Sequence, residues 1–342
     1  MSVMPRSDSD IILRADNLSR NFDVPGGLFD RLRGIRRILK AVDGVDLAIR
    51  RGEIFAIVGE TGSGKSTLAR LLLRLLAPTG GTLEFTGEDA GPKGTAADLR
   101  FRRRAQVVFQ DPYSALDPRM RVGAQIREPL DIHRVGPRSG RDALVLSLLD
   151  RVGLGPEQAD AYPADLSGGQ RQRVSIALAL APGPEIIVAD EPTSALDLSV
   201  QAQVLNLLSD LQRDDDLTIV FITHDLGVVR HFCDRVAVMY LGRIVEQAPT
   251  ATLFASPGHP YTQALFAAIP DHDPTRRAPW PVPIGDPPSP LSPPTGCAFH
   301  LRCPAAMARC ATKAPALRPV ADGRAVACHL FDTPSPPSPA KG

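Results

Sequence analysis

Gly59-Glu60-Thr61-Gly62-Ser63-Gly64-Lys65-Ser66, followed by Thr67, is the stretch on which the fold turns. Its spacing, G-x-x-x-x-G-K-[ST], is that of a phosphate-binding loop. The run Ile54 to Val58 before it is apolar throughout and reads as a buried strand, and Lys65 to Leu76 after it reads as a helix. Glycines at these positions let polyphosphate oxygens approach backbone N–H groups with no Cβ in the way. The new helix aims its unpaired N–H groups and positive dipole end at the same anion. Lys65 is the expected contact of the β- and γ-phosphates, and the Ser66 hydroxyl an expected Mg²⁺ ligand.

The bulk properties narrow the setting. The 342 residues give room for one large α/β domain with an appendage, or for two modest domains. The 39 basic and 38 acidic residues nearly cancel, so no electrostatic reason exists to expect nucleic acid as a partner. The N-terminal MSVMPRSDSDIILR lacks the apolar core of a signal peptide, and no apolar run is long enough for a membrane span. The expectation is a cytosolic chain with no transmembrane segment, reaching any membrane through a partner.

Along the chain, residues 11–15 and 45–49 read as strands around an irregular insert from Val24 to Lys40. The insert carries Arg31, Arg33, Arg36, Arg37 and Lys40 and reads as a solvated basic loop. Phe22, upstream of the phosphate loop, is a candidate to stack on an adenine ring. Gly80 to Phe85 reads as a turn and strand. Gln106 to Pro112 reads as a short buried strand that ends in Gln110, whose amide can hold Mg²⁺ or orient water. Residues 113–165 read as an inserted helical subdomain. Leu166-Ser167-Gly168-Gly169-Gln170 then opens a strong helix, with Ser167 as N-cap and bare amides at the two glycines. This is a second anion site without a lysine of its own, and two complementary half-sites in one chain suggest that they meet across a dimer.

Glu185 to Glu191 reads as a buried parallel strand that ends in two carboxylates. Asp190 is the expected Mg²⁺ partner, and Glu191 the group that polarises an attacking water. Ser194-Ala195-Leu196-Asp197 follows as a turn placed to sense another subunit. Thr218 to Thr223 is a further buried strand, and His224 emerges where the other polar candidates emerge. Residues 235–247 suggest a terminal hairpin, and a helix starts at His259. Residues 270–296 are too rich in proline for a packed interior and read as a linker or wrapping arm. Residues 331–342 read as a disordered tail.

Cys233 reads as a small buried apolar side chain, whereas Cys297, Cys303, Cys310 and Cys328 crowd into the C-terminal stretch 297–330. The close C-x₂₋₄-C pairs usual for structural zinc are missing from them. Looser spacing suits a [4Fe–4S] cluster, with zinc or four unligated thiols as the alternatives.

GETGSGKST, Gln110, LSGGQ, IIVADE, SALD and His224, in this order and spacing, resemble the ATP-binding cassette (ABC) ATPases over residues 11–269. FQDPYSALDPRM, HPYTQAL and the tail GCAFHLRCPAAMARC…VACHL look like the ATPase subunits of oligopeptide/dipeptide importers, a group that also handles nickel and glutathione. The resemblance implies an α/β P-loop NTPase fold, a RecA-like core with an antiparallel β subdomain, the helical subdomain and a small Cys-rich extension. It implies a head-to-tail pair of ATPase chains, expected to be a heterodimer, with LSGGQ of one completing the ATP site of the other. Glu191 matches the general base and His224 the γ-phosphate switch. Two permease subunits, an extracytoplasmic substrate-binding protein, a peripheral place on the cytoplasmic face of the inner membrane, and an iron–sulfur tail are implied with them. The competing readings are a soluble ABC ATPase of DNA repair or translation, and a module that holds nucleotide without turnover. One copy of each motif disfavours the fused translation type, and the presence of Glu191 and His224 disfavours the second reading.

Overall fold

The computed structural model describes residues 10–24, 37–89, 94–268 and 285–332. The chain opens with two long antiparallel strands, β1 (Ile11–Val24) and β2 (Arg37–Arg50), paired from Ile11 opposite Arg50 to Val24 opposite Arg37. They take in the two ends of the expected irregular insert, Val24 and Arg37 to Lys40, so Arg37 and Lys40 lie in a strand rather than in a loop. Composition missed this because the ladder, not the side chains, satisfies the backbone there. Arg31, Arg33 and Arg36 fall outside the described residues.

The apolar run Ile54–Val58 is β3. It feeds α1 (Lys65–Leu72), which stops short of the expected Leu76. The reason is a C-terminal closure in which Arg74 takes φ 55°. Arg74 N–H donates to the Leu71 carbonyl and Leu75 N–H to the Arg70 carbonyl, the paired bonds that end a helix. After β4 (Gly80–Phe85), β5 (Glu88–Asp89) and α2 (Ala96–Arg104) comes β6 (Ala105–Val108), so the strand ends two residues before Gln110. The helical stretch follows as α3 (Pro112–Ala115), α4 (Val122–Ile132) and α5 (Arg141–Arg151). Helix α6 (Gly168–Leu180) leads into β7 (Ile186–Asp190), α7 (Leu198–Asp215) and β8 (Thr218–Thr223). Then come α8 (Leu226–Phe232), the hairpin of β9 (Arg235–Tyr240) and β10 (Arg243–Pro249), α9 (Thr250–Ala255) and α10 (Pro260–Ala267). The C-terminal stretch adds α11 (Ala308–Thr312), β11 (Arg318–Pro319) and β12 (Ala325–Val326).

Among the described residues these strands form two sheets. One has the order β2-β1-β4-β5 and is antiparallel. The other runs β11-β12-β10-β9-β3-β8-β7-β6. Its strands from β9 to the edge strand β6 are parallel, and β10, β12 and β11 add antiparallel strands at the other end. The hairpin expected to be terminal is therefore continued by the tail. The parallel strands are buried on both faces, and their side chains sort by alternation. Ile54, Ala56 and Val58 of β3 join one core with Ile219 and Phe221 of β8, under the helical stretch. Phe55 and Ile57 join the other with Val220 and Ile222, against α1 and the antiparallel sheet. Doubly covered strands of this kind leave only their carboxyl ends open to a ligand. No helix among the described residues is long and apolar enough to cross a membrane.

Candidate active site

The ends of β3, β6, β7 and β8 open onto a cavity of about 510 Å³ lined by Thr61, Gly62, Gly64, Lys65, Ser66, Thr67, Gln110, Glu191 and His224. The sequence separates these residues by up to half its length, and the sheet order brings them to one edge. The loop between β3 and α1 owes its shape to its glycines. A Cβ on Gly64, at φ 105°, would stand 2.2 Å from the Ala41 carbonyl oxygen. Such an approach is open to glycine alone.

Lys65 is buried, and its ammonium donates to the carbonyls of Gly59 at 2.8 Å and Glu60 at 3.0 Å. Burial lowers its pKa, against the opposing charges of Glu191, Asp190 and Glu60. The Ser66 hydroxyl donates to Asp190 Oδ1 at 3.3 Å. Burial pushes the Asp190 carboxyl up; the Ser66 hydrogen bond works against this and the neighbouring Glu191 charge adds to it. Two adjacent carboxylates beside a hydroxyl form an oxygen donor set that calls for a cation, and this chemistry fits Mg²⁺.

Glu191 sits just beyond β7 with φ 48°, an uncommon backbone for a non-glycine residue. Its N–H donates to the Ile222 carbonyl at 2.9 Å, which ties it to β8. Its carboxylate is held from two sides. Gln110 Nε2 donates to Oε2 at 3.1 Å, and His224 Nδ1 lies 3.3 Å from Oε1. Two residues from neighbouring strand ends thus converge on this carboxylate, an arrangement that can aim it at a water beside a bound γ-phosphate.

Leu166 to Gln170 do not line this cavity. Ser167 caps α6 by accepting from Gln170 N–H at 3.3 Å, and the Gln170 side chain returns the bond to Ser167 N–H at 2.9 Å. Ser194 to Asp197 lie between the two regions. Ser194 N–H donates to the Glu191 carbonyl at 3.2 Å, and the positions a Cβ would take at Gly168 and Gly169 face Leu196 and Val200. Phe22 does not line the cavity either. It pairs in register with Leu39, which does, and the Arg20 guanidinium covers its ring at 4.7 Å.

Sequence reasoning missed several contributors. Lys40 and Ala41 of β2 and Leu241 and Gly242 of the β9–β10 turn form a wall of the cavity, and Pro290 of the C-terminal stretch lines it as well. The Glu60 N–H donates to the Tyr261 hydroxyl at 2.9 Å. An aromatic in an apolar helix start, His259-Pro260-Tyr261, was the available signal.

The expected [4Fe–4S] cluster, or zinc, at Cys297, Cys303, Cys310 and Cys328 finds no support in the geometry. Among the described residues no group of three or more His, Cys, Asp or Glu side chains is placed to hold a metal ion. All four are free thiols. Burial pushes Cys297 and Cys303 up and takes Cys328 to about 11. The Cys-rich stretch instead packs through Phe299, whose ring lies 5.5 Å from that of Tyr240 and 5.4 Å from that of Tyr261.

A parallel sheet with a glycine phosphate loop, paired carboxylates and a capped Ser-Gly-Gly helix start defines an ATP-binding cassette ATPase. Residues 42–194 match the ABC transporter family and residues 245–310 the oligopeptide/dipeptide transporter C-terminal region. The chain belongs to the ABC transporter ATP-binding proteins of the oligopeptide/dipeptide group. It is 50% identical over 323 residues to a probable peptide ABC transporter ATP-binding protein, y4tS, of Sinorhizobium fredii (strain NBRC 101917 / NGR234), covering 94% of this chain and 90% of that one. It is 46% identical to a putative oligopeptide transport ATP-binding protein, YkfD, of Bacillus subtilis (strain 168), covering 94% and 95%. Among solved structures, the dimeric post-hydrolysis state of the cassette MJ0796 bound to ADP and Pi matches with a TM-score of 0.61 at 31% identity, over 70% of this chain and 98% of that one. The cbiO1 subunit from Clostridium perfringens matches with a TM-score of 0.62 at 29% identity, over 72% and 92%.

Proposed function

We propose that this ATPase powers the uptake of di- and oligopeptides, as the ATP-hydrolysing subunit of an importer. The observation that carries the hydrolytic part is the convergence of Gln110 and His224 on the Glu191 carboxylate, beside the Lys65 loop. The peptide part rests on the C-terminal region match and on the names of the relatives.

In this reading the Gly59–Thr67 amides cradle the triphosphate, and Lys65 turns from its own carbonyls to the β- and γ-phosphates. Ser66, Asp190 and Gln110 are the residues that would hold Mg²⁺, which when bound neutralises phosphate charge. Glu191 accepts a proton from the attacking water, and its two hydrogen-bond partners fix its direction. His224, with its side chain 60% exposed, is the group free to meet a γ-phosphate. Leu166 to Gln170, which lie off this cavity, act on the ATP of a facing ATPase chain, with Ser194 to Asp197 linking the two sites. The wider assembly is a second, related ATPase chain, two permeases and an extracytoplasmic binding protein, with this chain peripheral on the cytoplasmic face of the membrane.

For the four C-terminal cysteines the finer reading is a [4Fe–4S] cluster, with zinc as the alternative. Its support is donor chemistry alone: four thiols in one short stretch. Oxygen-free purification tests it, since a colourless sample without iron refutes the cluster.

The test of the main reading is Glu191→Gln. Turnover should fall on the order of 10²–10⁴-fold with MgATP binding retained. Hydrolysis at the wild-type rate would sink the assignment.

A further inference from the structure

The phosphate loop is also gripped from the far end of the chain. Arg302 Nη1 donates to Glu60 Oε1 and Oε2 at 3.3 and 3.2 Å, and Nη2 donates to Oε1 at 3.3 Å, across 242 sequence positions. The Arg302 Nε donates to the Gly285 carbonyl at 3.2 Å. The arginine side chain is 8% exposed and the glutamate 30%. Glu60 is thus held at its backbone by Tyr261 and at its carboxylate by Arg302, and Phe299 packs against Tyr261 three residues before Arg302. Between Gly285 and Arg302 the chain passes the cavity at Pro290.

Glu60 is an acid inside a loop read as the seat of a polyanion. Left unpaired, its carboxylate would repel the phosphates and compete for the Lys65 ammonium, whose carbonyl partners already include Glu60 itself. A guanidinium in two-armed contact removes both effects, because it cancels the charge and fixes the side chain in one direction.

We infer that Arg302 is a positioning residue for nucleotide: by neutralising and holding Glu60 it keeps the phosphate loop receptive, so the C-terminal stretch sets ATP affinity. This deepens the reading of Gly59–Thr67 as the ATP seat and rests on it.

Full-length variants titrated with MgATP, with melting temperature recorded alongside, test it. Arg302→Met should weaken MgATP binding about tenfold, and Arg302→Lys, which keeps the charge but loses the two-armed contact, should show a smaller loss. The deciding result is the double variant. Adding Glu60→Gln to Arg302→Met should restore most of the lost affinity, because the acid that Arg302 masks is then gone. An ion pair with a structural role alone would change melting without that rescue. Glu60→Gln is the reference for that double variant: with the acid gone, adding Arg302→Met should no longer weaken MgATP binding. Where Arg302→Met does not fold in the wild-type background, Arg302→Lys carries the test. Wild-type affinity in Arg302→Met, or in Arg302→Lys, or a double variant no better than the single, overturns the inference. Lys65→Ala separates the two levels. If it binds MgATP normally, the seat itself is misread; if it loses binding while Arg302→Met does not, the arginine's role alone fails.

Discussion

Two glycines of the phosphate loop make a paired experiment, because the structure assigns them different penalties. Gly64 has φ 105°, and a methyl there would lie 2.2 Å from the Ala41 carbonyl oxygen and 2.8 Å from Met239 Cε. Ala41 belongs to β2, whose neighbour Val42 is paired with Arg20 of β1, so its backbone is not free to retreat. Gly64→Ala must therefore displace the loop by about 1 Å, beyond the roughly 1–3 kcal/mol of backbone strain. Gly62 has φ 81° with nothing within 4 Å of the added methyl, so Gly62→Ala meets strain alone. A 1 Å misplacement of a ligand-holding group costs on the order of 10²-fold. MgATP titration should find Gly64→Ala weakened by about that factor. Gly62→Ala should bind within about threefold of wild type while losing about 1–2 kcal/mol of stability to denaturant. Equal losses in the two variants, or normal binding by Gly64→Ala, would refute the reasoning.

Two further outcomes follow from the C-terminal half. His259 is buried and caps α10 by accepting from Tyr261 N–H at 3.0 Å, and burial pulls its pKa from 6.5 down to about 3. The folded state therefore refuses a proton that the unfolded chain takes, so stability is lost as pH falls from 6.5 toward 3. At about pH 5 the loss is roughly 2 kcal/mol; urea melts of wild type and His259→Asn at two pH values check it, and an equal pH slope in both would count against it. Phe299→Ala should cost about 3–5 kcal/mol and release the C-terminal stretch, read as earlier proteolytic cleavage within residues 285–332. Unchanged cleavage would show that the aromatic cluster does not hold the tail.

What could be read from the sequence was local. The phosphate loop, the serine cap at Ser167 and the apolar strands ending in Asp190 and Thr223 each carry their signal within about ten residues. Two features were hidden because their cause is tertiary. The extension of β1 to Val24 and of β2 back to Arg37 comes from pairing with each other, in segments whose composition resembles a loop. Tyr261 and Arg302 reach Glu60 from 201 and 242 positions away, which no spacing rule encodes. The cysteine spacing says nothing of how that stretch packs, which centres on Phe299.

The short β12 strand, paired on β10 through Glu246 opposite Val326 and followed outward by β11, has a consequence for anyone trimming this chain. Without it, the backbone of β10 around Val245 to Gln247 would stand unpaired at the end of the sheet, beside the buried Ile244, Val245 and Ala248. Such a border recruits strands from other molecules. A cassette cut after α10 is thus expected to self-associate and come out of solution, which makes the C-terminal stretch a guard of solubility as well as a neighbour of the nucleotide.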